Sequence, residues 1–358
     1  MFITGLGTAT PRQRYTQAQC WEAVQRAAPF SRLDLRARAI LKKVLLGNNG
    51  IVSRHLALDS LAEAFDLTPD ALHARFSLHA PALATQAAER ALANAGIKPH
   101  EIEAILISTC TGYLCPGLTS YVSERLGLRE SVLALDLVGQ GCGAAMPNLR
   151  TAEALLQSGG YRQILSICVE VCSAAFYLDN DPGVLISACL FGDAAGAAVL
   201  SPRSLPHQRR VAWKAAASIL HPAARDLLRF EHKNGMLRNI LTPEVPGLVA
   251  EYAGRVFQQV SAEANLGRGQ ISTWIWHAGG RDVLGALRDQ FALTEDDLRW
   301  STAVLRDLGN VSSPFLYHVL QRALQEGAPG GLWWLCSFGA GFSCHGALLE
   351  VDSIKSIQ

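Results

Sequence analysis

Strand-sized apolar runs alternate with segments of helical period along most of this chain, and few architectures accommodate that pattern. Residues 104–109 (AILIST), 132–137 and 163–169 (QILSICV) predict buried strands. Residues 119–126 and 148–158 predict helices, the second stopped by Gly159-Gly160. Such alternation implies an α/β fold whose sheet is covered on both faces. The polar segment 201–210 (SPRSLPHQRR) carries two prolines between two apolar strands, so it reads as a link between two halves, 1–203 and 204–358. The halves end alike, in FGDAAGAAVL from Phe191 and FGAGFSCHGALLEV from Phe338, a weak internal echo of two related units. Roughly the first ninety residues are mostly helical in pattern and are expected to wrap the first half.

The 358 residues are 49% hydrophobic and 18% charged, with a formal net charge of +1. Few charges per residue fit a sizeable core and a buried subunit interface. Without a basic block, electrostatics favour a small-molecule substrate over nucleic acid. No apolar run is long enough to span a bilayer, and the N-terminal MFITGLGTATP lacks the features of a signal peptide. Nine cysteines, an odd number, then predict reduced thiols and a cytoplasmic location. The spacings of Cys110 with Cys115 and of Cys168 with Cys172 are not those of a structural zinc site, so no metal is expected.

The stretch DLVGQGCGAAMP, from Asp136 to Pro147, runs an apolar strand into a glycine-flanked turn and then into a helix. Glycines permit a tight turn and close approach of a substrate. A cysteine at a helix start faces unpaired N–H groups and the positive end of the dipole, which favour thiolate. Cys142 is therefore a candidate nucleophile, against the plainer reading of one more buried small residue. Two further element ends supply polar partners. His277 ends the apolar run TWIWHAGG, and Asn310 follows Gly309 in LRDLGNVSS. Each alone is an ordinary structural or turn residue. Together with Cys142 they form a Cys/His/Asn set able to stabilise a thiolate and an oxyanion.

GQGCGAAMPNLR, LFGDAAGAAVL, WIWHAGG, LGNVSSPF and SFGAGF, in that order, resemble the type III polyketide synthases, the chalcone and stilbene synthase superfamily. The resemblance runs from roughly residue 100 to the C-terminus. It implies a thiolase-type fold of two pseudo-repeated halves in αβαβα layers, and a homodimer. It further implies that Cys142, His277 and Asn310 form a catalytic triad. A starter acyl-CoA would acylate Cys142, and malonyl-CoA would decarboxylate with His277 and Asn310 holding the enolate oxygen. Each such donor is typically worth ~3 kcal/mol. The enolate would attack the acyl thioester, and the cycle would repeat before cyclisation to a pyrone, resorcinol or related aromatic product. No cofactor beyond the acyl-CoA and malonyl-CoA substrates is implied. A carboxylate at the site would oppose carbanion formation, and none occurs in the motifs that carry Cys142, His277 and Asn310.

By the same resemblance Phe191 is the aromatic gatekeeper beside the cysteine, and Gly279 and Gly280 border the coenzyme A arm. Cys115 reaches across a dimer into the neighbouring cavity, and Ala175 and Ser312 line the cavity with little bulk. Lys42, Lys43 and Arg54 are candidates for the coenzyme A phosphates, a solvated basic helix face being the plainer reading. Two departures are visible. The terminal loop usually reads Gly-Phe-Gly-Pro-Gly but is Ser337-Phe338-Gly339-Ala340-Gly341 here, so a differently shaped cavity floor is expected. A second gatekeeper phenylalanine aligns with Asn239, which predicts a wider or more polar entrance. Pairing with His277 predicts alkylation of Cys142 by iodoacetamide well below pH ~8.5, the free-cysteine value.

Two alternatives stand beside this reading. A β-ketoacyl carrier-protein synthase III shares the fold and triad but takes its extender from a carrier protein. A degenerate homologue would bind acyl-CoA without turning it over. A thiolase proper would need a second catalytic cysteine; Cys344, before His345-Gly346, only superficially resembles one.

Overall fold

The computed structural model describes residues 1–206 and 208–353; His207, inside the 201–210 link, and 354–358 lie outside the described residues. The strands are β1 (Phe2–Ala9), β2 (Arg14–Thr16), β3 (Ser53–His55), β4 (Ala104–Thr109), β5 (Leu133–Val138), β6 (Ile164–Glu170) and β7 (Ala194–Ser201). They continue with β8 (Val211–Leu220), β9 (Leu228–Lys233), β10 (Met236–Leu241), β11 (Ile271–Trp276), β12 (Gly331–Gly339) and β13 (Ser343–Val351). Helices α1 (Gln17–Arg26), α2 (Ala28–Ser31), α3 (Leu35–Leu46), α4 (Pro69–Ala95), α5 (Leu118–Leu126) and α6 (Ala145–Gln157) precede α7 (Pro182–Leu190). After it come α8 (Val245–Ala264), α9 (Arg281–Phe291), α10 (Arg299–Leu308) and α11 (Phe315–Gln325).

Nine strands pair in the order β11-β12-β13-β8-β1-β7-β6-β4-β5. β4, β6 and β7 are buried along their whole length, as expected where helices cover both faces of a sheet. At the centre β1 meets β8 through a single pair, Phe2 with Ala212, and the sheet turns over there. Helices α6 and α11 each touch strands from both sides of that junction. α4 and α5 cover the outer face of the β5–β1 side, and α8 with α9 covers the outer face of the other. The layers are therefore αβαβα. The two echoing segments become β7 and β13, each an antiparallel strand, the first between β6 and β1, the second between β12 and β8.

The expectation that the N-terminal ninety residues only wrap the first half is corrected by β1, which lies at the middle of the sheet. Its sequence, FITGLGTA, reads poorly as a strand because glycine weakens strand interiors. The glycines are needed because α4 lies directly on them. A Cβ at Gly5 or Gly7 would sit 2.2 Å from the carbonyl oxygen of Ala91 or Ala87. Among the described residues no helix is long and apolar enough to cross a membrane.

Candidate active site

β5 ends at Val138, and the chain turns through Gly139 and Gly141, both at positive φ, into a helical turn, Gly141–Gly143, just before α6. The turn is clamped from the far side of the sheet by the β12–β13 hairpin. A Cβ on Gly141 would meet the backbone nitrogen of Ala340 at 2.9 Å, so only glycine fits. Ser337 Oγ donates to the Gly143 carbonyl at 3.1 Å. Cys142 thus stands on a short, fixed turn at the edge of a small cavity.

Cys142 Sγ takes a hydrogen bond from Ser312 Oγ at 3.2 Å. Ser312 is one of few non-glycine residues held in the left-handed region, at φ 55°, a cost of about 1–3 kcal/mol that persists only where the surroundings enforce it. Its N–H donates to Asn310 Oδ1 at 2.9 Å, and Asn310 Nδ2 donates to the Gly279 carbonyl at 3.2 Å. One amide N–H of Asn310 is left over. The Asn310 backbone is tied to the end of α7: its N–H donates to Leu190 O and its carbonyl accepts from Gly192 N–H. Asn310 thereby lies beside Phe191, with which it forms an isolated parallel bridge.

His277 follows β11, its N–H bonded to the Cys336 carbonyl at 2.9 Å. Its ring is buried between Phe315 and Phe338, with centroids 5.2 and 4.9 Å away. Neither ring nitrogen has a hydrogen-bond partner among the described residues. Burial alone pushes its pKa down to about 3. Burial likewise pushes the Cys142 thiol up to about 12, the Ser312 hydrogen bond opposing and the Glu170 charge adding. Both directions favour a neutral thiol and a neutral imidazole. They run against the expectation of a thiolate held by imidazolium: burial opposes the helix start, and the hydrogen-bond partner of the sulfur is the Ser312 hydroxyl.

Sequence reasoning missed Glu170, the last residue of β6. It is fully buried and accepts from Cys110 N–H, Thr111 Oγ1 and Ser313 Oγ at 3.0, 2.9 and 2.6 Å. Cys110 Sγ and Ser312 Oγ also lie within reach of its Oε1, at 3.3 and 3.4 Å. The expectation of a carboxylate-free site is therefore corrected. Burial pushes the Glu170 carboxyl up, against the hydrogen bonds that hold it down. A single Glu closing an otherwise apolar strand was the signal available in the sequence.

The family description "FAE1/Type III polyketide synthase-like protein" matches residues 8–226, and "Chalcone and stilbene synthases, C-terminal domain" matches residues 214–351. The chain belongs to the type III polyketide synthase family. It is 28% identical to a 3,5-dihydroxyphenylacetyl-CoA synthase of Streptomyces toyocaensis, over 97% of this chain and 89% of that one. It is 29% identical to a 1,3,6,8-tetrahydroxynaphthalene synthase of Streptomyces peucetius subsp. caesius, over 97% and 92%. The crystal structure of PKS-I from the brown alga Ectocarpus siliculosus superposes with a TM-score of 0.89 at 24% identity, covering 98% of each chain.

For a type III polyketide synthase, the remaining residues distribute unevenly. Phe191, Ala175, Asn239 and Ser312 line the Cys142 cavity. Asn239, on β10, pairs across the hairpin with Phe230 on β9, and Phe230 lines the same cavity. The polar Asn239 thus stands at the cavity wall with an aromatic ring beside it on the opposite strand. Phe338 does not line that cavity but packs on His277 and Gly279. Cys115 is exposed and away from the cavity of its own chain. Lys42 and Lys43 are exposed on α3, and the loop after α3 is joined to the start of α9, just past Gly280, by a hydrogen bond from Arg281 to the Asn48 carbonyl. Arg54 departs from its sequence reading: it is 3% exposed and spends its guanidinium on internal acceptors, so it is not open to a phosphate. Cys344 is fully buried, its sulfur 3.8 Å from that of Cys336, and cannot serve as a second catalytic thiol.

Proposed function

We propose that this enzyme condenses malonyl-CoA iteratively onto a starter carried by Cys142, with His277 and Asn310 as the polar partners. The observation that carries the reading is the hydrogen-bonded chain from Cys142 through Ser312 to Asn310, which is itself bonded to Gly279, two residues past His277. The cysteine comes from the end of β5, the histidine from the end of β11 and the asparagine from the turn after α10. Ser312 bonds both the sulfur and Asn310 Oδ1. In the proposed reaction the Cys142 sulfur attacks the starter thioester while His277 takes the thiol proton and returns it to the departing coenzyme A. Malonyl-CoA then loses CO2, the electron pair passing into a thioester enolate. Its oxygen accepts from the ring N–H of His277 and the spare side-chain N–H of Asn310. The enolate carbon attacks the acyl thioester and releases the Cys142 sulfur for the next round. Cyclisation to a pyrone, resorcinol or related aromatic product ends the sequence.

The starter is proposed to carry an aliphatic tail. A second, apolar cavity of about 50 Å³ lies between α1, α3 and α7, and shares Phe176 and Ala188 as walls with the Cys142 cavity. The enzyme is proposed to act as a homodimer, supported by the unpaired outer edge of β5 and by exposed Tyr113 and Val138. Exposed Cys115 would then reach the neighbouring cavity. Lys42, Lys43, Gly279 and Gly280 are proposed to border the coenzyme A arm. Nine free cysteines support a cytoplasmic location.

Incubation with malonyl-CoA and a panel of acyl-CoA starters, read by mass spectrometry, tests the reading. Cyclised polyketides are expected without any carrier protein, and none with Cys142→Ala. Products that appear only when malonyl carrier protein is added would overturn it in favour of a carrier-dependent synthase.

A further inference from the structure

Arg54 is buried, and no Asp or Glu oxygen among the described residues lies within 4.0 Å of its guanidinium. A buried cation without an acid partner is costly unless its donors are fully used. Here Nη1 donates to the carbonyls of Ala188 and Phe191, each at 2.8 Å. Nε donates to Gln17 Oε1 at 3.1 Å, and Gln17 Nε2 in turn donates to the Cys189 carbonyl at 2.9 Å. Ala188, Cys189 and Phe191 are the last turn and C-cap of α7, where helix carbonyls have no partner of their own and the dipole is negative. The helix end supplies the countercharge that no carboxylate gives.

The aliphatic stem of Arg54 has a second neighbour. A Cβ on Gly309 would meet Arg54 Cγ and Cδ at 2.9 and 3.2 Å, and Gly309 stands at φ 72°, so glycine is required on both counts. The next residue is Asn310, whose backbone is bonded on both sides to Leu190 and Gly192. One buried side chain therefore touches the backbone that presents Phe191 and the backbone that presents Asn310.

We propose that Arg54 is a positioning residue for malonyl decarboxylation: by capping α7 against Gly309 it fixes the ring of Phe191 relative to the amide of Asn310. The proposal rests on the reading of Phe191 and Asn310 given above. It assigns Arg54 no contact with either substrate.

The test uses the full-length enzyme with Arg54→Lys, which keeps the charge but not the two-carbonyl geometry. Acyl transfer to Cys142 is followed by intact mass, decarboxylation by release of acetyl-CoA from malonyl-CoA, and folding by Tm. Decarboxylation is expected to fall roughly 10- to 100-fold, the worth of a charged hydrogen bond, while acyl transfer changes less than about 3-fold. Placed on Phe191→Ala, the same change is expected to add less than about 3-fold, because both act through one ring. Gln17→Met, which loosens the cap without removing the cation, is expected to give a smaller split in the same direction. A parallel loss of both steps with a lowered Tm would overturn the proposal in favour of plain fold support. A rise in KM for malonyl-CoA at constant kcat would overturn it in favour of coenzyme A binding, and full additivity with Phe191→Ala would also overturn it. Wild-type enzyme that takes no acyl group onto Cys142 would overturn the functional reading itself, a different failure.

Discussion

Ser312 holds more of the site together than its size suggests. Its backbone is bent into the left-handed region, its N–H fixes Asn310, and its hydroxyl sits between the Cys142 sulfur and Glu170. A hydrogen bond to the thiolate form lowers the pKa of a thiol, so Ser312 works against the burial that lifts Cys142. In Ser312→Ala the thiol is expected to be harder to ionise and its iodoacetamide rate to drop roughly 3- to 10-fold at pH 8, the worth of one hydrogen bond. In both proteins the rate is expected to be still rising at pH ~9, because burial keeps the thiol protonated. An unchanged rate in the variant, or a plateau below pH ~7, would contradict this view of the sulfur.

At the scale of elements, what could be read from sequence was the strand and helix alternation and the three element ends carrying Cys142, His277 and Asn310. Periodicity marks strands that are buried on both faces, and AILIST and QILSICV are such strands. It fails for β1, where Gly5 and Gly7 serve α4 rather than the strand. It also fails where a cavity wall depends on who sits opposite: Phe230 joins Asn239 at the cavity through hairpin register, and register is not written in either strand alone. Arg54 was misplaced for a related reason, since a cation grouped with Lys42 and Lys43 gives no sign that the end of another helix will cover it. The N-terminal helices carry a further consequence. Cys20 and Val24 on α1 and Leu41 and Leu45 on α3 wall the second cavity behind Phe176 and Ala188. Val24→Phe is expected to lower turnover of long aliphatic starters by about 10-fold or more, as a blocked site for a few buried methylenes would. Short starters should be unaffected, which competition between acyl-CoA substrates of different length measures directly.

Across the whole molecule, the αβαβα layering brings the Cys142 turn of one side of the sheet to Ser312 and Asn310 of the other, with α6 and α11 touching strands of both sides. The same packing buries three histidines as neutral rings: burial pushes His277 down to about 3 and His318 and His345 down to about 4. Below the ordinary histidine value the unfolded chain binds these protons first, so stability falls as pH drops from about 6.5 towards 4. Glu170 and Asp193, pushed up by burial, act in the opposite sense, since their folded carboxyls take up protons before the unfolded ones do. Comparison with His318→Gln isolates one of these groups. The stability difference between wild type and variant is expected to shift towards the variant by up to ~1.4 kcal/mol per pH unit across that window, as urea unfolding at several pH values would show. A constant difference would contradict the buried neutral ring. The claim on which the rest depends is that Cys142 carries the starter. Mixing the enzyme with a single acyl-CoA and recording its intact mass tests that most directly. A gain of one acyl group, mapped to Cys142 and absent from Cys142→Ala, is the expected result; no gain with any starter, or acylation elsewhere, would contradict it.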